Sequence, residues 1–363
     1  MHELSIALRR LRNSRLTQPV FKAPDEVVRW LGAMQAQDYG PAKWSIGQRA
    51  TGLVDEDVDN ALAGGSIIRT HALRPTWHFL AFSDLRWVLA LTGPRVQQSN
   101  RSRYRELGLD QRTLERCERA IVTALGGGAR LTRTEIGAVL DDARIDRSGQ
   151  RFPYILMHCE LEAIICSGGL AGKQHTYTLV DERVPTEAGF DRDRALVELT
   201  RRYLTSHGPA TIKDLRWWSS LTVSDINEAL DALGSDVGSE QIDGQTLWFM
   251  SSDRPDPDRD RGVHLLQTYD EIVVGYTESR FLGDPRATAA RAAWGDRTLP
   301  TGVVLIAGAI AGRWGRKIRA RLVVIEVVLD ARPSAREATA LEGAADQLGR
   351  FLGREGKLDV MTP

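Results

Sequence analysis

Cysteine is scarce in this sequence of 363 residues. The three cysteines, Cys117, Cys159 and Cys166, are an odd number at spacings that fit no zinc pattern, which favours reduced cytoplasmic thiols. We predict reduced, buried side chains. Long apolar runs are absent, since none approaches the roughly 20 residues that span a bilayer, and residues 1–4 lack the charged region and apolar core of a secretory signal. A globular protein without a membrane partner is expected, located in the cytoplasm and at the nucleoid if it binds DNA.

The sequence also lacks an excess of charge of either sign. Its 48 basic and 48 acidic residues cancel, which excludes a protein that grips nucleic acid through overall charge. Binding to an anionic partner would depend on local basic clusters. Three clusters stand out, namely Arg313, Arg316, Lys317, Arg319 and Arg321 with Trp314 among them, then Arg95, Arg101, Arg103 and Arg105, and finally Arg9, Arg10, Arg12 and Arg15. The first contains no acidic residue and is the best candidate for phosphate contacts.

A repeated order of elements is what the sequence does contain. A chain of this length can form two to four compact domains. Between residues 194 and 250 the pattern predicts a helix over Ala195–Ser206, a short helix capped by Thr211, a helix over Asp225–Leu233 capped by Thr222 or Ser224, and a strand over Thr246–Met250. Three helices followed by a wing are the order of a winged-helix domain.

The same order recurs upstream. Helices are predicted over Gln111–Leu125, from Thr132 or Thr134 to Leu140, and over Phe152–Ile165, before a hairpin from Gly168-Gly169 to Leu179. A less clear copy lies in residues 1–85. There, helices near Ser5–Asn13 and Asp25–Met34 precede strands near Ile67–Thr70 and Thr76–Leu80.

The C-terminal part has a different pattern. Residues 251–262 are rich in Asp, Arg and Pro and predict a polar linker. Strands are then predicted over Val303–Ile306, Ala309–Trp314 and Leu322–Leu329, with a tight turn at Ala307-Gly308, before an amphipathic helix over Ala335–Phe351. We expect an α+β unit whose hairpin carries the first basic cluster.

Two glutamines, Gln35 and Gln37, stand one residue apart at the end of an apolar run that begins near Val27. In an extended chain, side chains two apart point to the same side, so the pair would present two neutral amides to one ligand. Such a pair can hold a water or a base edge, although an amide is not itself a strong acid or base.

Four separated motifs in order carry a family resemblance over nearly the whole chain. They are Leu31–Asp38 with Trp44–Gly47, Arg69–His78, His207–Trp218 and Tyr269–Tyr276. With them the chain resembles the winged-helix DNA glycosylases of the AlkZ/YcaQ type. Other members carry Gln-x-Asp at the site, so Gln37 places this chain nearer the AlkZ branch.

The resemblance implies an α+β fold of three tandem winged-helix domains and a smaller β-rich C-terminal part, curved around DNA. The expected boundaries are 1–105 for the first winged-helix domain, which carries the glutamine pair, 106–190 for the second, 191–252 for the third and 262–363 for the C-terminal α+β domain with its DNA-contacting hairpin.

The activity that the resemblance implies is that of a DNA glycosylase, which we expect to be monomeric and, because the site motif contains no lysine, monofunctional. Its expected substrate is double-stranded DNA carrying alkylated bases such as N7-alkylguanine, including interstrand crosslinks. A carboxylate would ordinarily help to form a cation-like sugar, but a base that is already cationic needs little protonation to leave. Gln35 and Gln37 are then expected to orient water and stabilise the sugar with their carbonyl oxygens. No lysine lies within the motif, Lys43 being the nearest, and no cofactor, metal or obligate protein partner is expected.

Supporting roles near the pair are candidates for Asp38, His71 and His78. Asp38 would face away from the glutamine side, which favours a turn or capping role before Gly40-Pro41. The two histidines bracket Arg74 and can approach a sugar or phosphate, although lone histidines are more often structural. DNA contacts are assigned to Arg74 and to the first basic cluster, that is, Arg313, Trp314, Arg316, Lys317, Arg319 and Arg321.

Other motif residues are interpreted as structural. Trp77 is expected in the core, because a large aromatic side chain usually packs. Asp270 and Glu271 are adjacent, and side chains adjacent on a strand face opposite ways, so they are poor metal ligands. Tyr276 is expected to line the DNA channel.

Two other functions stay open at this point. A winged-helix transcription regulator explains the repeats, but it leaves the glutamine pair without a role and predicts binding that follows sequence rather than damage. A family member that has lost activity and senses lesions is the second. The sequence does not identify the adduct.

Overall fold

The structure is a computed structural model that describes residues 3–186, 189–253, 262–280, 282 and 302–363. Its first part alternates helices with a small sheet. The elements are α1 (Glu3–Asn13), α2 (Pro24–Leu31), β1 (Met34–Gln35), α3 (Tyr39–Gly47), α4 (Asp55–Gly64), β2 (Ile67–Ala72), β3 (Arg74–Ala81) and α5 (Leu85–Glu106). The helices and strands predicted here are confirmed, except that α2 ends three residues early. Gly32 adopts a φ of +80°, a conformation that glycine tolerates, and the chain turns there into β1.

The second part contains three longer helices and a hairpin. Its elements are α6 (Gln111–Leu125), β4 (Leu131–Thr132), α7 (Arg133–Asp142), α8 (Arg151–Leu161), β5 (Ile165–Ala171), β6 (Gln174–Leu179) and α9 (Val180–Arg183). The predicted helix over Phe152–Ile165 was too long, since Ala163 has a positive φ and Ile165 already belongs to β5. The predicted hairpin is present, but it begins at Ile165, before Gly168 and Gly169. They lie at an irregularity inside the β5–β6 pairing.

The third part has the predicted three helices and hairpin. Its elements are α10 (Arg192–His207), α11 (Ile212–Ser219), α12 (Val223–Leu233), β7 (Val237–Ile242) and β8 (Gln245–Met250). The hydroxyl of Thr211 accepts from the Asp214 amide at the start of α11, and that of Thr222 accepts from the Asp225 amide at the start of α12. Thr222 is therefore the cap of α12, because its side chain satisfies an amide that the helix leaves unpaired.

The C-terminal part is a five-stranded sheet with one long helix. Its elements are β9 (Val263–Gln267), α13 (Glu271–Val274), β10 (Gly302–Ile306), β11 (Ala309–Ile318), β12 (Leu322–Leu329), α14 (Ala335–Phe351) and β13 (Glu355–Met361). The strand order is β13-β12-β11-β10-β9. The predicted turn at Ala307-Gly308 is confirmed, with φ of +50° and +82°, as a two-residue hairpin turn requires. Most of the predicted linker over residues 251–262 lies outside the described residues.

Hydrophobic cores cross the expected domain boundaries. The largest core joins α2, α3 and β3 to the C-terminal sheet and α14, for example Val27 and Phe79 with Val304, Ile325 and Phe351. A second core joins parts of the first, second and third regions to Tyr276. The core between Tyr104 and Leu179 crosses a boundary least, because among its buried members only Tyr104 of α5 comes from the first region.

Two compositional predictions concern cysteines and membranes. Cys117, Cys159 and Cys166 are all free and buried, as predicted. Within the residues that the structure describes, no helix is both long and apolar enough to cross a bilayer.

Candidate active site

The glutamine pair lies at the edge of a three-stranded sheet. β1 pairs with β3 in antiparallel register, with Met34 opposite Phe79 and Gln35 opposite His78. The extended conformation predicted for Gln35 is therefore confirmed. Gln35 is buried and Gln37, just beyond the strand, is exposed.

Two contacts fix Gln35. Its side-chain Oε1 accepts from Arg74 Nη2 at 2.8 Å, and its backbone amide donates to Glu271 Oε1 at 2.7 Å. A guanidinium can only donate, so the amide must present its oxygen to Arg74 and its Nε2 elsewhere. The carbonyl oxygen that the sequence predicts as a water ligand thus already has one lone pair occupied.

Gln37 is held much less firmly. The pairing with β3 ends at Ala36. Its amide still donates to the Trp77 carbonyl at 2.7 Å, but its carbonyl accepts from Arg69 Nε at 3.0 Å instead of from the Trp77 amide. The Trp77 amide donates to Gln37 Oε1 at 3.4 Å, beyond the usual hydrogen-bond range of about 2.7–3.2 Å. The Gln37 amide can therefore exchange this contact for a ligand at little cost.

Glu271 is the buried anchor of the site. Its Oε2 accepts from Trp218 Nε1 at 2.9 Å and lies 3.2 Å from His207 Nε2. Burial raises the pKa of the Glu271 carboxyl, but the hydrogen bond and charge of His207, the charge of Arg74 and the Gln35 amide together lower it to about 2. Glu271 is therefore a buried anion. Two sequence motifs, His207–Trp218 and Tyr269–Tyr276, meet at this carboxylate.

His78 lies behind Arg74. Its ring is fully buried, its Nδ1 donates to the Thr76 carbonyl at 2.9 Å, and its Nε2 is 3.5 Å from Arg74 Nη2. Burial and the Arg74 charge lower the pKa of His78 to about 3, so the ring is neutral. The predicted approach of His78 to a sugar or phosphate is wrong, because the ring has no open face.

His71 is buried as well. Its Nδ1 contacts Glu160 Oε2, and its ring centroid is 4.5 Å from that of Trp77. Its predicted contact with DNA is wrong for the same reason. Trp77 is only half-buried and Arg69 lies over its ring at 4.5 Å, so the core position predicted for Trp77 is wrong too.

Arg74 is a site residue rather than a surface phosphate ligand. It is 7% exposed, and its guanidinium carbon lies 5.7 Å from the centroid of the Trp217 ring. Burial lowers the pKa of Arg74, and Glu271 opposes this. Among the described residues, Arg74 Nη1 finds no hydrogen-bond partner. Within the protein, one terminal nitrogen of Arg74 bonds Gln35, and the DNA contact of Arg74 stays a prediction.

Asp38 borders the pair on the solvent side. It is exposed and occupies the N-cap position of α3, but its carboxylate makes no capping hydrogen bond. The predicted turn position is right, and the side chain remains available. Its charge acts on Arg69 and Arg316.

The first basic cluster is divided between two faces of β11. Side chains alternate along a strand, so Trp314 and Arg316 share one face while Arg313 and Lys317 share the other. Trp314 is buried and its Nε1 donates to the Leu266 carbonyl at 2.8 Å. The DNA contact predicted for Trp314 is wrong, because the indole belongs to the core.

Arg316 is the member of the cluster that lies near the segment following Gln37. Its Nη2 lies 3.7 Å from where a side chain on Gly40 would begin. Burial lowers the pKa of Arg316, and the charges of Asp55 and Asp38 oppose this. Lys317 pairs with Glu326 at 2.5 Å on the opposite face, and Arg313, Arg319 and Arg321 are exposed.

The N-terminal arginine cluster is structural. Arg9 pairs with Asp253 at 2.8 Å, and Arg10 donates to the Pro209 and Ser279 carbonyls at 2.7–2.9 Å. Both are buried. Of the three basic clusters, this one therefore commits these two side chains to contacts inside the protein.

Asp270 and Tyr276 are structural too. Asp270 accepts two 2.8 Å hydrogen bonds from Arg49 in a fully buried pair, which confirms the structural prediction for this motif. Tyr276 is fully buried and its hydroxyl donates to the His207 carbonyl at 2.7 Å, so its predicted place in a DNA channel is wrong. In the described part of the chain, no group of three or more His, Cys, Asp or Glu side chains is placed to hold a metal ion.

Comparison with known proteins identifies the family of this chain. The profile of the family described as "DNA glycosylase AlkZ-like" matches residues 28–351, which spans the glutamine pair, Arg74, Trp217 and Glu271. The chain belongs to this family. An "Interstrand DNA cross-link repair glycosylase" from Streptomyces sahachiroi is 24% identical over 272 residues, covering 71% of this chain and 72% of the relative.

The AlkZ-like family also provides a solved structure with the same fold. The Streptomyces sahachiroi DNA glycosylase AlkZ superimposes with a TM-score of 0.79 at 22% identity, covering 100% of both chains. Mixed helix and strand content is thus common to the two proteins.

Proposed function

We propose that this AlkZ-like protein is a monofunctional DNA glycosylase that hydrolyses the N-glycosidic bond of alkylated bases such as N7-alkylguanine in double-stranded DNA. One observation carries the proposal. The Gln35 amide is locked by Arg74 and Glu271 beside the exposed and weakly held amide of Gln37. A polar group fixed in advance thus stands two residues from an adaptable one.

Such a site suits a leaving base that is already cationic. As the bond from C1′ to the base nitrogen breaks, its electron pair neutralises the base, and a water oxygen bonds to C1′ while its proton passes to solvent. Gln37 accepts a hydrogen bond from that water, and the fixed dipole of Gln35 stabilises the developing sugar cation without having to reorganise.

Hydrolysis without strand cleavage is favoured by the state of Lys43. Its ammonium donates to Asp55 at 2.7 Å and to Asp59 at 2.9 Å, and the side chain is buried. A lysine whose side-chain nitrogen is taken up by two carboxylates in this way is not free to act as the nucleophile of a Schiff base.

We propose further that the substrates include interstrand crosslinks. The name of the Streptomyces sahachiroi relative supports this extension. So does the exposure of Gln37, because an open site does not require a bulky adduct to enter a closed pocket.

The architecture that we propose is three tandem winged-helix domains, residues 1–105, 106–190 and 191–252, curved around DNA, with a C-terminal domain over 262–363. The order α10, α11, α12 and hairpin β7–β8 supports the third domain, and α6, α7, α8 and hairpin β5–β6 support the second. A monomer bound to duplex DNA is the proposed working state. The family match disfavours a regulator without chemistry.

The test is base release from a duplex that carries one N7-methylguanine. Gln37→Ala and Gln35→Ala are each expected to slow release far more than they weaken duplex binding, because the amides act on the reacting sugar. Gln98→Ala, an exposed glutamine on α5, is the matched control. Release by wild type that both site variants retain would refute the assignment of the pair, and equal losses of binding and release would reduce it to a binding role.

A further inference from the structure

Two adjacent tryptophans on α11 meet the site from different depths. Trp218 is 0% exposed and donates to Glu271, which holds the Gln35 backbone. Trp217 is 48% exposed. Among the described residues, it is the tryptophan with the most accessible ring.

The exposed ring of Trp217 is held in place. Its Nε1 donates to the Val274 carbonyl at 3.2 Å, at the end of the short helix α13 that begins with Glu271. A single exposed apolar side chain is ordinary on a protein surface. Because the N–H of this indole is already hydrogen-bonded, the ring is held in one orientation and exposes an apolar face. Aromatic residues that contact ligands combine a bonded polar group with an apolar ring in this way.

Arg74 connects this ring to the catalytic pair. The Arg74 guanidinium contacts both. Its Nη2 donates to Gln35 Oε1 at 2.8 Å, and its central carbon lies 5.7 Å from the centroid of the Trp217 ring. The other terminal nitrogen, Nη1, is buried and, as far as the described residues show, has no partner. A buried, unsatisfied donor costs free energy, so an acceptor on a bound ligand would relieve it.

We propose that Trp217 is the stacking residue of the site, and that its indole face packs on the nucleobase of the damaged nucleotide. Arg74 Nη1, the donor without a partner on the guanidinium beside this ring, is the group that would donate to an oxygen of the same nucleotide. The inference rests on the proposed function, since it places the sugar of the same nucleotide at Gln35 and Gln37. Stacking recognises any planar base, so discrimination of damage stays with the cationic leaving group.

The experiment compares single-turnover base release by Trp217→Phe, Trp217→Leu and Trp217→Ala from the N7-methylguanine duplex. Loss of base stacking lowers transition-state affinity by about 5- to 150-fold, equivalent to about 1–3 kcal/mol. Phenylalanine is expected to keep most of the rate, whereas leucine, which keeps apolar bulk but has no π face, and alanine are expected to lose it. Melting temperatures of all variants are measured alongside.

Phe190→Ala is the matched control, because Phe190 is also 48% exposed but lies away from the site. It precedes α10, a helix of about 24 Å, and it is the other end of this helix, at His207, that contacts Glu271. The control is expected to leave the rate unchanged. Equal rates for wild type, Phe and Leu variants would overturn the proposal. If alanine impairs folding, the Phe and Leu pair still decides it.

The proposed function and the stacking role fail separately. Binding of each variant is also measured to duplexes with and without the methylated base. If the wild-type protein releases no base, the glycosylase assignment fails for this substrate. Stacking is still supported if the protein binds the damaged duplex more tightly than the undamaged one, and if Trp217→Leu loses this preference while Trp217→Phe keeps it. A preference that no Trp217 variant changes counts against it.

Discussion

At the scale of single residues, the site is an amide held between two buried charges of opposite sign. Arg74 takes the side-chain oxygen of Gln35 and Glu271 takes its backbone amide. Taking both charges out of water is costly, and a glutamine that needed only to be packed would not require them. The arrangement is explained if the direction of the Gln35 dipole matters for the reaction.

Arg74→Lys tests that direction. Lysine keeps the charge but not the planar fork, so the Gln35 amide becomes free to rotate. Base release is expected to fall by about 10- to 100-fold, the range for losing one preorganised interaction of about 1.4–2.7 kcal/mol, with little change in duplex affinity. Single-turnover rates and binding titrations measure the two quantities.

Arg201→Ala is the control for Arg74→Lys, since Arg201 forms an exposed ion pair with Asp236 at 3.1 Å. A rate for Arg74→Lys that matches this control would show that Gln35 needs no fixed orientation. A loss of affinity as large as the loss of rate would instead return Arg74 to DNA binding.

At the scale of elements, the sequence predicts the features that depend on residues close together in the chain. Thr211 and Thr222 cap helices as predicted, because a cap depends on residues three apart. Contacts between Gln35 and Glu271, 236 residues apart, leave no local pattern. Trp314 and Arg316 were assigned together from their closeness in sequence, but their environments depend on what covers each end of β11.

The split of β11 predicts unequal roles within its basic cluster. Arg316 faces the side of Asp38 and Gly40, whereas Lys317 is paired with Glu326 on the other face. Arg316→Ala is therefore expected to weaken duplex binding and to reduce the slope of log affinity against log salt by about 0.9, the value for one phosphate contact. Lys317→Ala is expected to change both far less.

Salt titrations of the two variants and of wild type, on damaged and undamaged duplex, measure those slopes. Both duplexes are expected to be affected alike, because a phosphate contact carries no information about the base. The reverse order, with Lys317 dominant, would place DNA on the outer face of the sheet and away from Gln37.

At the scale of the whole molecule, the site joins distant parts of the chain through shared cores. Phe79, across the sheet from Met34, packs in the same core as Val304 and Phe351. Gln35 and its anchor Glu271 are thus carried by regions that cannot separate without exposing that core. Stability and site geometry should therefore respond together to conditions that charge a buried group.

Acid is such a condition, through His78. Its pKa is lowered to about 3 in the fully buried native ring, against about 6.5 in an unfolded chain. Between these values the unfolded state binds a proton that the native state excludes, so the free energy of unfolding falls as the pH falls below about 6.5, by up to about 1.4 kcal/mol per pH unit. Glu271 does not contribute between pH 7 and 5, because its pKa of about 2 and its unfolded value near 4.3 both lie below that window.

Urea unfolding of wild type and His78→Gln at pH 7, 6 and 5 isolates the contribution of His78 to the pH dependence of stability. Glutamine does not titrate, so the variant is expected to be the less stable protein at pH 7 and to lose less stability on acidification, with the two curves converging towards pH 5. Parallel curves would mean that the native ring accepts the proton. In that case His78 would carry a charge beside Arg74, and the hydrogen bond that orients Gln35 would weaken over the same pH range, which base release measured in parallel would reveal.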